Sequence, residues 1–172
     1  VSYGTYNSRD LSVGYGGEVD GKSLDLNLGT TKSDGFSSMN KRQNTSTDPA
    51  DNGYSKNNAS IRFEDKLTQN LKLGVRVASS TSATSYDKND LNAYSLKTTN
   101  DTYSVYARQQ VSQVWFSTLD LAHAELKYED LKNGSPYPAN SFTSSYLNGK
   151  QNALRWGNVY EFSKTHKASF GI

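Results

Sequence analysis

The chain of 172 residues contains no cysteine, which removes disulfide bonds, thiolate catalysis and thiolate zinc sites. No run of about 18 apolar residues occurs, which excludes a transmembrane helix. A long basic run is also missing. With 19 Lys and Arg against 17 Asp and Glu the net charge is only +2, so nothing marks nucleic acid as a partner. The first residues form no secretory leader, and an opening on Val1 rather than Met fits a processed protein or a fragment alike. Apolar residues are scarce too, at 34% with a mean hydropathy of −0.78. Low hydrophobicity is the usual mark of disorder, but 12% aromatics, with twelve Tyr, close to charge balance argue against a disordered chain. The few apolar residues must therefore be well placed.

Their placement follows a period of two. Leu24, Leu26 and Leu28 share one face, with Ser23, Asp25 and Asn27 on the other. Leu71, Leu73, Val75 and Val77 alternate with Lys72, Gly74 and Arg76. The same rule covers Leu11, Val13 and Tyr15; Ile61 and Phe63; Tyr103, Val105 and Ala107; and Leu154, Trp156, Tyr160 and Phe162. Between Trp115 and Tyr128 the alternation changes phase near Leu121-Ala122, which predicts a bulge or an extension beyond the sheet. Ala168, Phe170 and Ile172 form a last, short run. About eight strands and no helix are expected.

The connections alternate strictly between short and long. Residues 18–21, 66–70, 110–114 and 163–166 are short turns, whereas 33–56, 80–100 and 130–149 are long. An up-and-down antiparallel sheet then carries every short turn at one end and every long loop at the other. That pattern predicts an all-β, antiparallel, up-and-down transmembrane β-barrel with short periplasmic turns and long extracellular loops. The leucine face would meet lipid, and Asp25, Arg62, Lys72, Arg76 and Arg155 would face a polar lumen. Tyr3, Tyr6, Tyr15, Tyr103, Trp115, Trp156 and Tyr160 would suit interfacial girdles. A soluble aromatic-rich β-sandwich acting as a binding module is the alternative. Because the last strand is short, residues 1–172 are expected to be a barrel segment of a larger barrel. A complete eight-stranded barrel serving as an anchor or adhesin is the competing expectation.

Four short motifs, in order, carry a family resemblance. Ser2-Tyr3-Gly4-Thr5-Tyr6-Asn7 resembles the start of the barrel in TonB-dependent outer-membrane receptors. Thr31-Lys32-Ser33-Asp34-Gly35-Phe36-Ser37 resembles the end of their second strand, and Asp51-Asn52-Gly53-Tyr54-Ser55-Lys56-Asn57 the entry to their third. Arg155-Trp156-Gly157-Asn158 resembles a later strand of the same barrel. The cobalamin (vitamin B12) receptors are the subgroup most similar. The resemblance implies a 22-stranded barrel in the outer membrane of a Gram-negative bacterium, of which this chain supplies about the first eight strands. It implies active transport of a scarce nutrient, a cobalamin or other corrinoid before a siderophore or haem. The implied partners are outer-membrane lipid, the nutrient, and TonB acting through a plug domain that these residues do not include.

The resemblance also implies calcium held by acidic loop residues, a structural ion that orders the loops. The positions that match are Asp34, Asp48, Asp51, Asp87 and Asp101. Calcium wants six to eight oxygens, and carboxylates converging from two loops supply them. Against this, Asp and Asn in loops also simply form turns. A self-contained EF-hand at Asp48 fails, because its third position is Ala50, its twelfth is Ala59 and strands flank it. His123 and His166 lie far apart, no HExxH or GxSxG occurs, and no catalysis or zinc site is expected. His166 reads as a solvated turn residue.

Overall fold

The computed structural model describes residues 1–37, 39, 50–88, 90–136 and 146–172. Alternating residues with β-branched and aromatic side chains favour pleated strands, and the described chain is one antiparallel sheet without a helix. Its strands are β1 (Ser2–Gly4), β2 (Ser8–Val19), β3 (Lys22–Ser33), β4 (Tyr54–Lys66), β5 (Leu71–Tyr86), β6 (Tyr94–Ser112), β7 (Trp115–Lys132), β8 (Ser135–Pro136), β9 (Tyr146–Ser163) and β10 (His166–Gly171). Each pairs with its sequence neighbour, except that β8 folds onto the end of β7 and β9 pairs directly with β7. The two extra elements beyond the expected eight are β1 and β8. β2 and β10 lie towards opposite edges and do not pair, so the sheet is not closed.

The short turns fall where the sequence placed them. β2 and β3 join through the two-residue turn Asp20-Gly21, and β9 and β10 through Lys164-Thr165. The long connections are shorter than expected. β5 runs to Tyr86 and β6 begins at Tyr94, so the expected loop 80–100 shrinks to 87–93. Polar runs such as Ser79-Ser80-Thr81-Ser82 look like loop, but inter-strand hydrogen bonds do not require apolar side chains. Ser79↔Asp101 and Thr81↔Thr99 are regular ladder pairs. β7 likewise reaches Lys132, well into the expected loop 130–149.

No described side chain is fully buried, because the sheet is one layer thick. Its leucine face is uncovered: Val13 is 62% exposed, Leu28 61%, Val105 50% and Leu154 56%. On the opposite face a dense cluster surrounds Tyr106, which is 7% exposed. Its ring lies across Gly74 of the neighbouring strand, and its hydroxyl reaches over β5 to donate to Glu64 of β4 at 2.9 Å. A Cβ at residue 74 would stand 2.3 Å from the ring, so only glycine allows this crossing.

The upper limit of the apolar face, towards the long loops, is slanted. The continuous apolar run on that face ends at Leu11 in β2, Leu28 in β3, Ala59 in β4, Val77 in β5, Tyr103 in β6, Leu121 in β7 and Leu154 in β9, with Ala83, Leu131 and Tyr146 recurring beyond a polar stretch. By register Leu11 is level with Thr30, Asn57 and Thr81. Leu28 and Ala59 are level with Ser79, and Tyr103 with Val77. Leu121 and Leu154 are level with Val75 through Val105. The boundary thus falls from the level of Thr81 to that of Val75, six residues across six strand interfaces. One residue per strand, at about 3.3 Å per residue and about 4.8 Å between strands, is a tilt of about 35°.

Above the boundary the faces exchange polarity. The leucine face continues as Asp101, Glu125, Lys127 and Lys150, while Leu96, Leu126, Tyr128 and Leu147 occupy the other. This exchange is the phase change near Leu121-Ala122. It is not a bulge: β7 keeps an unbroken register with β9 throughout, and its only irregularity against β6 lies at the far end, between Gln110 and Ser112.

Gly74→Ala should lower the urea unfolding midpoint, followed by tryptophan fluorescence, by the equivalent of about 1–3 kcal/mol from overpacking. Gly17→Ala, whose nearest neighbour would be the Tyr15 hydroxyl at 3.6 Å, should change it by less than about 0.5 kcal/mol. Equal effects would show that the ring does not need the glycine.

Candidate functional site

Two regions gather polar chemistry. The first is the face opposite the leucines, where the pleat sets Asp25, Arg62, Glu64, Arg76, Arg108, Asp120 and Arg155 on one side. Arg62 donates from Nε and Nη2 to Asp25 Oδ2 at 2.9 and 2.7 Å. Glu64, 7% exposed, accepts from Tyr106 and from Arg108 Nη1 at 3.1 Å. Burying that carboxylate is tolerable because it is paired and hydrogen-bonded. The Tyr106 ring is flanked by the guanidinium groups of Arg76 and Arg108, 5.3 and 4.9 Å from its centroid. A groove of about 1020 Å³ opens beside it, lined among others by Arg76, Arg108, Asp120 and Arg155. Asp120 and Arg155 are opposite in register but make no ion pair, and Arg76 has no carboxylate partner among the described residues. The groove therefore presents cationic groups with free hydrogen-bonding capacity.

The second region is the end bearing the long loops. Asp34 follows β3; its N–H donates to Tyr6 O at 3.0 Å and its Oδ2 accepts from Asn7 Nδ2 at 2.9 Å. Gly35 then takes a φ of 66°, with Asn52 O so close that a Cβ would meet it at 1.9 Å. Asp34-Gly35 is thus a turn that holds the start of the first long loop against its end. Asp51 belongs to that end, where Gly53 N donates to Asp51 O at 3.0 Å. Asp87 follows β5, and its Oδ2 accepts from Ser37 Oγ at 2.6 Å and from Asn52 Nδ2 at 2.8 Å. Asp48 lies outside the described residues.

Asp101 is elsewhere. It sits within β6 opposite Ser79, whose hydroxyl it accepts at 2.6 Å. Ser79 and Asp87 are eight residues apart along β5 and its continuation, which is about 26 Å of strand. The expectation that Asp101 lies in a long loop is therefore corrected: the residue is within strand β6. Among the described residues no three acidic or histidine side chains gather to hold a metal. In Asp34 and Asp87 it is Oδ2 that accepts the amide and hydroxyl donors. Hydrogen bonds to Asp87 join the two loops.

Sequence reasoning missed the apex of the β5–β6 hairpin. Tyr86 and Tyr94 stack with centroids 5.8 Å apart, and Lys88 Nζ stands 4.4 Å from the Tyr94 ring centre. Tyr94, only 5% exposed, donates to Asp90 Oδ2 at 2.5 Å. That bond, with the Asn92 N–H, holds the Asp90 carboxyl below its ordinary value. The pair of tyrosines closing a seven-residue loop was the available signal. His166 opens β10 directly after the turn, near Ser163 and Thr165, and His123 is a strand residue bonded to Asn152 and Glu125.

No protein-family model matches this chain, and no curated protein matches it either.

Asp87→Ala should release Ser37 and Asn52. The Ser85 amide, which donates to Gly53 O at 2.8 Å, reports on that clasp. Its hydrogen exchange should speed by about tenfold, while a chelator leaves the wild-type rate unchanged. Acceleration of the wild type by the chelator would show that a metal takes part in the clasp.

Proposed function

We propose that this chain forms part of the wall of a TonB-dependent outer-membrane barrel carrying a scarce, bulky nutrient, a corrinoid above all, into a Gram-negative cell. One observation carries the membrane part: the uncovered apolar face ends on a line slanted by about one residue per strand. Transmembrane barrels tilt their strands by about 35–45°, so a bilayer surface cuts each strand one step further along than the last. The apolar residues from Leu11 to Val19 and from Leu154 to Phe162 each cover about 26 Å of strand, or about 21 Å along the slant's normal. The apolar band of such barrels is about 25 Å tall. A soluble sandwich would cover the leucine face with a second sheet, and the described residues contain one sheet only.

Aromatic placement supports the same orientation. Tyr103 stands at the upper limit, and Trp115 and Tyr160, opposite in register, lie towards the short turns, with Trp156 and Phe170 inside the band. Both indole N–H groups within the band are hydrogen-bonded, as hydrocarbon demands, whereas Asn158 Nδ2 has no partner among the described residues. Trp115 Nε1 donates to Asn158 Oδ1 at 3.0 Å and Trp156 Nε1 to Ser117 Oγ at 3.1 Å. Unpaired backbone at the β2 and β10 edges would need partner strands in a bilayer, which a 22-stranded barrel supplies.

The TonB and corrinoid assignments rest on the four motifs and their order. In that reading the long-loop end captures the nutrient, the cationic groove beside Tyr106 faces the plug, and no step is catalytic. The observation that favours a siderophore or haem instead is the same groove, whose free arginines suit an anionic cargo.

Val75→Lys, at mid-band, should destabilise the protein in lipid vesicles by about 2–4 kcal/mol, and Thr81→Lys, on the same face above the limit, by less than about 1 kcal/mol. Equal small effects, or a folded monomer in buffer without detergent, would contradict the membrane reading. Equilibrium binding by the intact receptor should favour cobalamin over ferric siderophores and haem. Absence of cobalamin binding with and without calcium would remove the corrinoid.

A further inference from the structure

We propose that Asn52-Gly53 is a site of spontaneous deamidation, and that this chemistry irreversibly opens the clasp between the first and second long loops. Asn-Gly pairs stand at residues 52–53, 133–134 and 148–149. Asparagine is chemically labile, and most so before glycine, because no side chain hinders attack of the next backbone nitrogen on the amide carbon. In that step the Gly53 nitrogen gives its proton to base and bonds to Asn52 Cγ, and Nδ2 leaves as ammonia. Water then opens the cyclic succinimide to aspartate or isoaspartate. Nothing beyond water and base is consumed.

The clasp demands both members of the pair. Asn52 Nδ2 donates to Asp87 Oδ2 at 2.8 Å, a bond that an ionised aspartate in its place does not make. A Cβ at residue 53 would stand 3.2 Å from Ser33 O, so the end of β3 leaves little room for a side chain there. The closed clasp also holds the reaction back. Its leaving nitrogen is bound to Asp87, and its attacking nitrogen donates to Asp51 O at 3.0 Å. Both bonds must open locally before the ring closes. Asn148-Gly149 differs, being locked in β9 opposite Lys127 and Leu126. Asn133 differs in consequence, because its side chain faces the neutral Ala93 N–H and Asn92.

At residue 52 the product sets a carboxylate where the amide donor stood, against the Asp87 carboxylate. Like charges at that distance repel, and only the Ser37 hydroxyl still bonds Asp87 to the first loop. Isoaspartate also lengthens the backbone just ahead of Gly53, whose carbonyl accepts the Ser85 amide. The loop end thus carries a slow chemical clock, which uncouples the two loops in ageing protein.

The test ages the intact folded protein at mildly alkaline pH and follows each Asn-Gly pair by peptide mass spectrometry. Residue 52 should gain the mass of an amide turned into an acid, with both aspartate and isoaspartate present, well before residue 148 does. Asp87→Ala should speed that conversion by about tenfold, the effect of releasing one hydrogen bond of the closed state. Asn52→Asp should speed hydrogen exchange at the Ser85 amide by about tenfold, and leave the Val105 amide, in the β5–β6 ladder, unchanged. The deamidated fraction of aged wild type should exchange at Ser85 as this variant does. Conversion at residue 52 no faster than at residue 148 overturns the site. An equal rate in Asp87→Ala and wild type overturns the shielding by the clasp. Wild-type exchange at Ser85 in Asn52→Asp overturns its consequence.

Discussion

A sheet one strand thick has no second layer against which to bury an apolar face, and this constraint governs the rest of the molecule. Fully burying one Leu, Val, Ile or Phe side chain is worth about 1.5–3 kcal/mol, so a face carrying such side chains from β2 to β10 needs an apolar neighbour. Water is a poor one, and a patch of that extent marks a contact surface rather than ordinary protein exterior. If the neighbour is hydrocarbon, several features acquire one cause. The apolar limit is slanted because tilted strands meet a level surface. The faces exchange polarity because a strand leaving lipid gains water on its outer side. Indole N–H groups within the band find acceptors because lipid offers none.

The opposite face obeys the complementary rule. Charges placed there must be paired across strands or remain hydrated. Asp25 and Arg62 pair between adjacent strands, but Glu64 is reached from β6 across the whole width of β5. The bridge exists because residue 74 has no side chain, so a tyrosine ring lies flat where any other residue would lift it. A single glycine thus connects strands that are not neighbours, and stiffens the sheet where it carries its cationic groove.

Strands and short turns were legible because period-two alternation is strongest where one face is uniformly apolar, as in Leu24, Leu26 and Leu28. Above the apolar limit the sequence turns polar on the formerly apolar face, so Ser79 to Tyr86 and Tyr94 to Asp101 read as loop although their backbones are fully paired. Asp101 was misplaced for that reason alone. The slant was beyond sequence reasoning, since it requires the register of seven strands at once. So was the cluster at Tyr106, whose partners come from three strands. The clasp at Asp87 was half legible: the coupling of two loops was foreseen through a cation, and it is made by Ser37 and Asn52.

The absence of cysteine permits the most direct test of the slanted bilayer limit. Single cysteines would be placed on the leucine face, spin-labelled in the membrane-inserted protein, and ranked by collision with oxygen against a water-soluble nickel chelate. Labels at residues 11, 28, 77, 121 and 154 should all report hydrocarbon, and labels two residues beyond each, at 9, 30, 79, 123 and 152, should report the headgroup region or water. A limit that follows one level row of the register, or labels wetted on every strand, would contradict a bilayer as the partner of this face.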